Sequence, residues 1–393
     1  MERSRPKVIV FRSDLLHPTE GFIRSQVEEL KEFEGYYVGV RRVPGSVTPD
    51  NRTVVVNRGP IVGKVAEIVF KCSGFSPRLV SDCRRISPVL IHAHFGPDGI
   101  RALPLAEMLN RPLVVTFHGL DATATDEYAK RSFYSHREYV RHRGRLISRA
   151  ALFIAVSEFV KKKLVRQGYP DKKLIVHYIG VDTRKFAPDR SIAREKAVLF
   201  VGRLIENKGC EFLIRAMAEV QRKHDWNLVV IGEGELRPKL QAMAHQMLKR
   251  CLFLGYQPQE KVREWMNRAQ IFCLPSVEVD SGASEGFGIV LIEAQSMGLP
   301  VAGFATGGIP EAVADGESGI LVPSKDPMAL STAIQTLIEG TALRCKFGTA
   351  ARDRMIRSFN LEKQTRVLEG IYHDVANGKS TLNGQLMELV GEL

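Results

Sequence analysis

IFCLPSVEVDSGASEGFGIVLIEAQSMGLPVAGF, Ile271 to Phe304, holds two short apolar runs with a glycine-bearing loop and a helix-length apolar segment between them. IFCLPS reads as a strand covered on both faces, because its residues are apolar in succession rather than alternately. LPVAGFATGG (Leu299–Gly308) reads the same way. A strand, a crossover helix and a second strand in this order make a parallel pair. The helix is expected to begin near Gly286–Gly288, and Ile289, Val290, Leu291 and Ile292 are apolar nearly all round, as in a helix packed inside a domain. Glu293 interrupts that run, and a carboxylate there is costly unless something binds it.

Working outward, the rhythm repeats along the chain. In the first half KVIVF (Lys7–Phe11), YYVGV (Tyr36–Val40), VLIHAHF (Val89–Phe95), PLVVTFHG (Pro112–Gly119), LFIAVS (Leu152–Ser157) and LIVHYIG (Leu174–Gly180) are strand-like. AVLFVGR (Ala197–Arg203), NLVVIGEG (Asn227–Gly234), CLFLGY (Cys251–Tyr256) and GILVP (Gly319–Pro323) continue the series in the second half. Helix-period segments such as FIRSQVEELKEF and EFVKKKLVRQG lie between them. The expected fold is α/β, with two doubly wound parallel sheets: residues 1–180, residues 181–360, and a helical segment 361–393 that is a candidate for crossing back to the first domain. VDTRKFAPDRSIARE (Val181–Glu195) loses periodicity and turns polar, so a hinge is expected there. Ligands bind such sheets beyond the carboxyl ends of the strands, which puts the expected site in a cleft between the two domains. No G-x-G-x-x-G follows the first strand, and GEGELR at Gly232 does not complete one, which argues against a nicotinamide or flavin enzyme.

Composition bounds the class. A chain of 393 residues exceeds one ordinary core, and 44% hydrophobic with 25% charged residues suits a globular protein. MERSRPKVIVFRSD carries no secretory-signal pattern, and no long apolar run is present, so a cytoplasmic location is expected. The six cysteines are scattered without metal-ligand or redox spacing. Net charge is +12, and residues 1–180 carry all of it: 30 Lys and Arg stand against 18 Asp and Glu, whereas the remainder holds 26 of each. YAKRSFYSHREYVRHRGRLISR (Tyr128–Arg149) and KKKLVRQGYPDKK (Lys161–Lys173) concentrate the cations, the first with Phe133, Tyr134 and Tyr139 among them. Such a face suits an anionic membrane surface or acceptor. Nucleic acid is disfavoured, because it leaves the neutral second half unexplained.

The loop before the apolar helix suggests the chemistry. Glycines at 286 and 288 allow close approach to the backbone, and a helix start is an anion site. Eight residues along a helix turn about 80° and rise about 12 Å, so Glu285 and Glu293 would touch different parts of one elongated ligand. GRLIENKG places Arg203 and Lys208 just past the strand AVLFVGR, where two cations suit a diphosphate. A diphosphate flanked by hydroxylated groups describes a nucleotide-sugar.

These residues also carry a resemblance. GRLIENKG, VVIGEGELRPKLQAMA, LPSVEVDSGASEGFGIVLIEAQSMGLPVAG and TGGIPEAV resemble the donor domain of family 4 glycosyltransferases, retaining enzymes of the GT-B fold. The likeness is close over Val198–Val322 and continues more weakly in HAHFG, TFHGLD, AVSEFVKKKL and IGVD. The wording HAHFGPDG…VVTFHGLD and the extended VEVDSGASEGFG loop are similar to bacterial transferases that build exopolysaccharides such as colanic acid. The resemblance implies that Glu293 binds the donor ribose, Glu285 the transferred sugar, and Arg203 and Lys208 the diphosphate, with Gly202 in the same loop. Backbone amides of Gly286, Phe287 and Gly288 would hold sugar and phosphate, Glu233 and the backbone at Leu274–Ser276 would approach the base, and His118 would contact the transferred sugar. His94 and Asp121 are acceptor-side candidates, His92 shares a strand face with His94, and Asp121 equally suits capping of the following turn. Relatives often carry Gly-Gly after the first strand; here HPTEGF offers only Gly21, which with Glu20 joins the acceptor-side candidates.

The mechanism so implied is front-face attack with retention. No cofactor is expected and no metal; Asp280, in the long loop, is the one acid considered for a metal and reads better as a turn residue. The expected partners are a UDP- or GDP-linked hexose and a lipid-linked glycan, at the inner face of the plasma membrane. A small soluble acceptor, or a non-transferring nucleotide-sugar binder or epimerase, is the alternative.

Overall fold

The computed structural model describes residues 5–378 apart from Val47 and Phe133. Two compact units account for them: the chain up to Gly180 together with the segment from Leu361 onward, and Val181–Asn360.

The first unit is built on a seven-stranded parallel sheet: β1 Lys7–Phe11, β2 Glu34–Gly39, β3 Thr53–Val55, β4 Leu90–His94, β5 Leu113–Phe117, β6 Leu152–Ala155 and β7 Leu174–Val176, in spatial order β3-β2-β1-β4-β5-β6-β7. The strands β4, β5 and β6 are buried at every residue, as their unbroken apolar sequences require. The sequence reading missed the two-residue strands Asp14–Leu15 and Arg41–Arg42, which pair apart from this sheet, and within it β3. Its three residues are half-buried at the sheet edge, too short for a pattern to register.

The second unit holds β8 Ala197–Val201, β9 Asn227–Ile231, β10 Cys251–Gly255, β11 Ile271–Leu274, β12 Val301–Phe304 and β13 Gly319–Val322, ordered β10-β9-β8-β11-β12-β13 and again parallel throughout. Each sheet reverses its winding direction once, between β1 and β4 in the first and between β8 and β11 in the second. The connections leaving those two strands diverge to opposite faces and leave a crevice at the carboxyl ends.

Two features correct or extend the sequence picture. Residues 181–195, where a hinge is expected, are tied to the second unit. Arg194 donates to the carbonyls of Ala269 and Met297 at 2.6 Å each, Arg268 pairs with Glu195 at 2.7 Å, and Arg352 holds the carbonyl of Phe186 at 2.9 Å. Arginine forks on backbone carbonyls fasten this segment to the second unit. Secondly, the helix Leu361–Ala376 returns to the first unit, where Val367, Leu368, Ile371, Tyr372 and Val375 share a core with Val8, Val10 and Leu90. Glu369 Oε1 accepts the N–H groups of Lys31 and Glu32 at 2.7 and 2.6 Å, which fixes the register of that helix. The rest of the expected segment, 379–393, lies outside the described residues, as does Phe133.

Ile371 is fully buried. Ile371→Ala is expected to destabilise the first unit by about 2–5 kcal/mol, the cost of a large-to-small core change. Urea unfolding of the variant should lower the midpoint of the first unit's transition; an unchanged midpoint would show that this helix adds nothing to that core.

Candidate active site

In the second unit the site residues gather at the switch between β8 and β11. The loop leaving β8 carries Gly202, Arg203 and Lys208 and ends at Gly209, whose φ of +67° suits glycine alone; a Cβ there would stand 1.8 Å from the carbonyl oxygen of Pro275. That contact presses the Lys208 turn onto the end of β11. Lys208 Nζ lies 2.5 Å from Glu285 Oε2, and Ser276 Oγ donates to the same oxygen at 3.1 Å. The sequence reading treated Lys208 and Glu285 as separate ligand contacts; the structure joins them in one largely buried ion pair. Ser276 was noted only for its backbone. Arg203 is exposed, and among the described residues it forms no ion pair, so its charge is available to an anion.

Behind the pair, Gly308 donates its N–H to the carbonyl of Glu285 at 2.9 Å, so the TGG turn after β12 braces the acid. Gly288 caps the helix Ile289–Ser296 with φ +87°, where a Cβ would meet Leu291 Cδ1 at 2.7 Å. The side chain of Phe287 is a core anchor, 1% exposed and packed on the ring of Phe359. Glu233 is turned into an ion pair with Arg237, four residues on, so its carboxylate is already engaged on its own loop.

Glu293 answers the question its sequence raised. It is half-buried on the apolar helix, where desolvation pushes its carboxyl up to about 7, against the opposing effects of a 3.4 Å hydrogen bond from Gln259 Nε2 and the charge of Lys185. Among the described residues no arginine pairs with it. With a single side-chain hydrogen bond, its carboxylate has unused capacity to accept hydroxyl groups.

In the first unit, histidines line the carboxyl ends of β4 and β5. His94 Nδ1 is 3.0 Å from His118 Nε2; His92 bonds Tyr372 Oη at 2.6 Å and Thr116 Oγ1 at 2.7 Å. Desolvation holds His92 and His118 at about 3 and His94 well below its ordinary value, so all three are neutral near pH 7. His118 packs between Phe22 and Phe95, and its buried Nδ1 has no hydrogen-bond partner, so it can meet a ligand hydroxyl. Tyr372 could not be found from sequence, being 280 positions from His92.

Three acceptor-side candidates have partners or room of their own. Asp121 takes the capping role weighed for it: its carboxylate accepts the N–H groups of Gly96, His118 and Gly119 at 3.0–3.2 Å, which makes it the brace of the histidine turn. Glu20 is taken up by Arg12 at 2.6 Å and by the N–H of His17. Gly21 opens a helix with ordinary helical φ, and a Cβ would meet nothing within 4 Å, so glycine is not required there. The residue overlooked was Arg12, at the carboxyl end of β1, which bridges Glu20 and Asp98 and lies 4.3 Å over the Phe95 ring. Its place just past a strand of the apolar kind was the same signal that had drawn attention to Arg203.

With this geometry in view, comparison with known proteins identifies the chain. The family described as "Glycosyl transferases group 1" matches residues 182–354, and "Glycosyltransferase Family 4" matches residues 22–185. A D-inositol 3-phosphate glycosyltransferase of Corynebacterium glutamicum (strain R) is 30% identical over 359 residues, 84% of either chain. The chain belongs to glycosyltransferase family 4. A putative colanic acid biosynthesis glycosyltransferase, WcaL of Salmonella typhimurium, is 29% identical over 72% of this chain and 70% of its own. The crystal structure of Anabaena HepE in complex with UDP and glucose superimposes with a TM-score of 0.77 at 19% identity, covering 94% of this chain and all of that one, and assigns the GT-B fold. Among the described residues of this glycosyltransferase, no helix is long and apolar enough to cross a membrane, and no cluster of three metal-binding side chains is present.

Two pH effects follow. Glu293 has a raised folded-state value, so its burial costs nothing while it is protonated and costs progressively more as pH rises from the ordinary carboxylate range through about 7. Glu293→Gln should therefore raise the melting temperature of the second unit at pH 8 and leave it nearly unchanged at pH 5; equal shifts at both would disprove the raised value. The histidines act with the opposite sign. Their lowered values give stability that is complete above about 6.5 and is lost as pH falls toward about 3. Imidazole NMR signals of His92 and His118 should not titrate between pH 8 and pH 5, whereas a midpoint near the ordinary histidine value would refute their desolvation.

Proposed function

We propose that this glycosyltransferase moves a hexose, with retention, from a UDP- or GDP-linked donor to a growing lipid-linked glycan in exopolysaccharide or cell-surface polysaccharide synthesis, at the inner face of the plasma membrane. The observation that carries the donor reading is the Lys208–Glu285 pair across the switch between β8 and β11, with exposed Arg203 on the same loop as Lys208 and Glu293 on the helix that follows Glu285. Support for the polysaccharide reading comes from the WcaL relative, and HepE, of the same fold, holds UDP and glucose.

In this reading Glu293 accepts the ribose hydroxyls, a role for which it must be ionised. Arg203 and Lys208 bind the diphosphate, and Lys208 brings Glu285 with it toward the sugar. The acceptor oxygen attacks the anomeric carbon on the face from which the diphosphate departs; the C–O bond to phosphate breaks, and a phosphate oxygen takes the acceptor proton. Arg203 and Lys208 stabilise the charge that develops on that leaving group. Neutral His118, with its unpartnered Nδ1, is assigned to a hydroxyl of the transferred sugar. A small soluble acceptor is the second reading, favoured by the corynebacterial relative named for D-inositol 3-phosphate, whose match spans more of the chain.

A screen of UDP- and GDP-hexoses for binding and slow hydrolysis tests the proposal. One donor should be turned over, Arg203→Ala should lower kcat by about 10²–10³-fold, as loss of one charge-stabilising donor does, and Glu293→Ala should chiefly raise KM. Donor affinity should also weaken below pH 7, as Glu293 takes up its proton. Absence of nucleotide-sugar binding at millimolar concentration would overturn the donor reading. Transfer to inositol phosphate but not to lipid-linked glycan would decide for the second.

A further inference from the structure

The helix Val62–Ser73 is inside out. Its inward face carries Gly63 and Glu67 beside Phe70, and Glu67 accepts from Asn57 Nδ2 at 2.8 Å and from Lys71 Nζ at 2.5 Å, with Arg41 at 3.8 Å. At Gly63 a Cβ would stand 2.2 Å from Asn57 Oδ1, so no larger residue fits between helix and loop. These contacts fix the rotation of the helix. Ile61, Val62, Val65, Ile68 and Val69 are consequently turned outward, with exposures from 52% to 76%, and Phe75 just beyond the helix is 44% exposed. At about 100° per residue these outward side chains and the exposed Cys72 fall within one arc of about 120°. An ordinary surface helix shows the reverse arrangement, and a contiguous apolar face of this kind marks an interaction surface.

Charge decides what covers it. Exposed Lys64 lies on the same helix, and exposed Arg78 lines the groove beside Val62 and Ala66, where Arg58 is paired with Asp82. Residues 1–180 also carry the whole positive excess of the chain. Two copies meeting through this face would set the same cations against each other, whereas an anionic bilayer pairs them with phosphate headgroups while taking up the apolar arc. We infer that the helix Val62–Ser73 is a membrane-docking element, which lies in the headgroup boundary of an anionic leaflet with Ile61, Val65, Ile68 and Phe75 inserted. The basic helix Tyr134–Arg149, to which composition first pointed, does not show this form: Tyr139 and Leu146 are its buried residues and Tyr134 its large exposed apolar one.

This inference deepens the proposed use of a lipid-linked acceptor, and the experiment separates the two. The full chain is mixed with phosphatidylcholine vesicles with and without phosphatidylglycerol, and sedimentation is followed as salt is raised. Binding is expected only with the anionic lipid and should weaken with salt. Val65→Asp/Ile68→Asp should reduce vesicle affinity by about tenfold or more, with circular dichroism and donor hydrolysis unchanged, since both side chains point away from the fold. A fluorophore on Cys72, with Cys345→Ser removing the other exposed thiol, should shift to the blue on binding. If the wild-type chain binds and the double variant binds equally well, the helix is not the docking element although the membrane reading stands. If no vesicle binds, both fall. Protection of Cys72 from the label without vesicles, or a dimer that the double variant dissociates, would show that protein covers this face and would overturn the inference.

Discussion

The constraint on which the site depends is the reversal of winding between two adjacent parallel strands. A chain leaving β8 must pass to one face of its sheet and a chain leaving β11 to the other, so neither covers the space above the strand ends. Into that space one connection sends Arg203 and Lys208 and the other sends Glu285. The Lys208–Glu285 pair then ties the diverging loops together at the point where topology separates them. Removing either partner would leave the other charge largely buried and unpaired, a larger loss than the pair itself is worth.

The first sheet solves the same problem with different residues. Arg12 leaves β1 and Asp98 follows β4, and their ion pair closes the reversal in the first unit, with Ser13 and Glu20 completing the cluster. That closure frees the next strand end to present histidines. Phe95 is held at φ +74°, a backbone conformation uncommon outside glycine, between the Arg12 guanidinium and His118. The two sheets thus share a reversal closed by an ion pair, and the first unit adds neutral histidines at the neighbouring strand end.

How much of this was legible depended on the range of the interaction. Unbroken apolar runs marked the buried strands, because burial on both faces is recorded residue by residue, and within the two large sheets only the edge strand Thr53–Val55 escaped. Glu293 was legible because one acid in an apolar helix conflicts with its surroundings. What the acids and bases bond to was not legible: Lys208 meets Glu285 across 77 positions, and His92 meets Tyr372 across 280. The anchoring of the polar stretch 181–195 was hidden for a related reason, since Arg194 bonds to backbone carbonyls, which leave no trace in a sequence pattern. Asp121 was ambiguous in the same way, its partners being three N–H groups rather than side chains.

The return of the helix Leu361–Ala376 bears on the order in which the protein is made. Tyr372 shares a hydrogen bond with buried His92, and Ile371 completes the core around β1, so the first unit lacks part of its interior until residues 361–376 have been synthesised. Val181–Asn360, continuous in sequence, has no such debt and can close first. On the ribosome the first unit to emerge is therefore the last to be finished, and for that interval its histidine pocket and apolar outer helix stand on an incomplete scaffold.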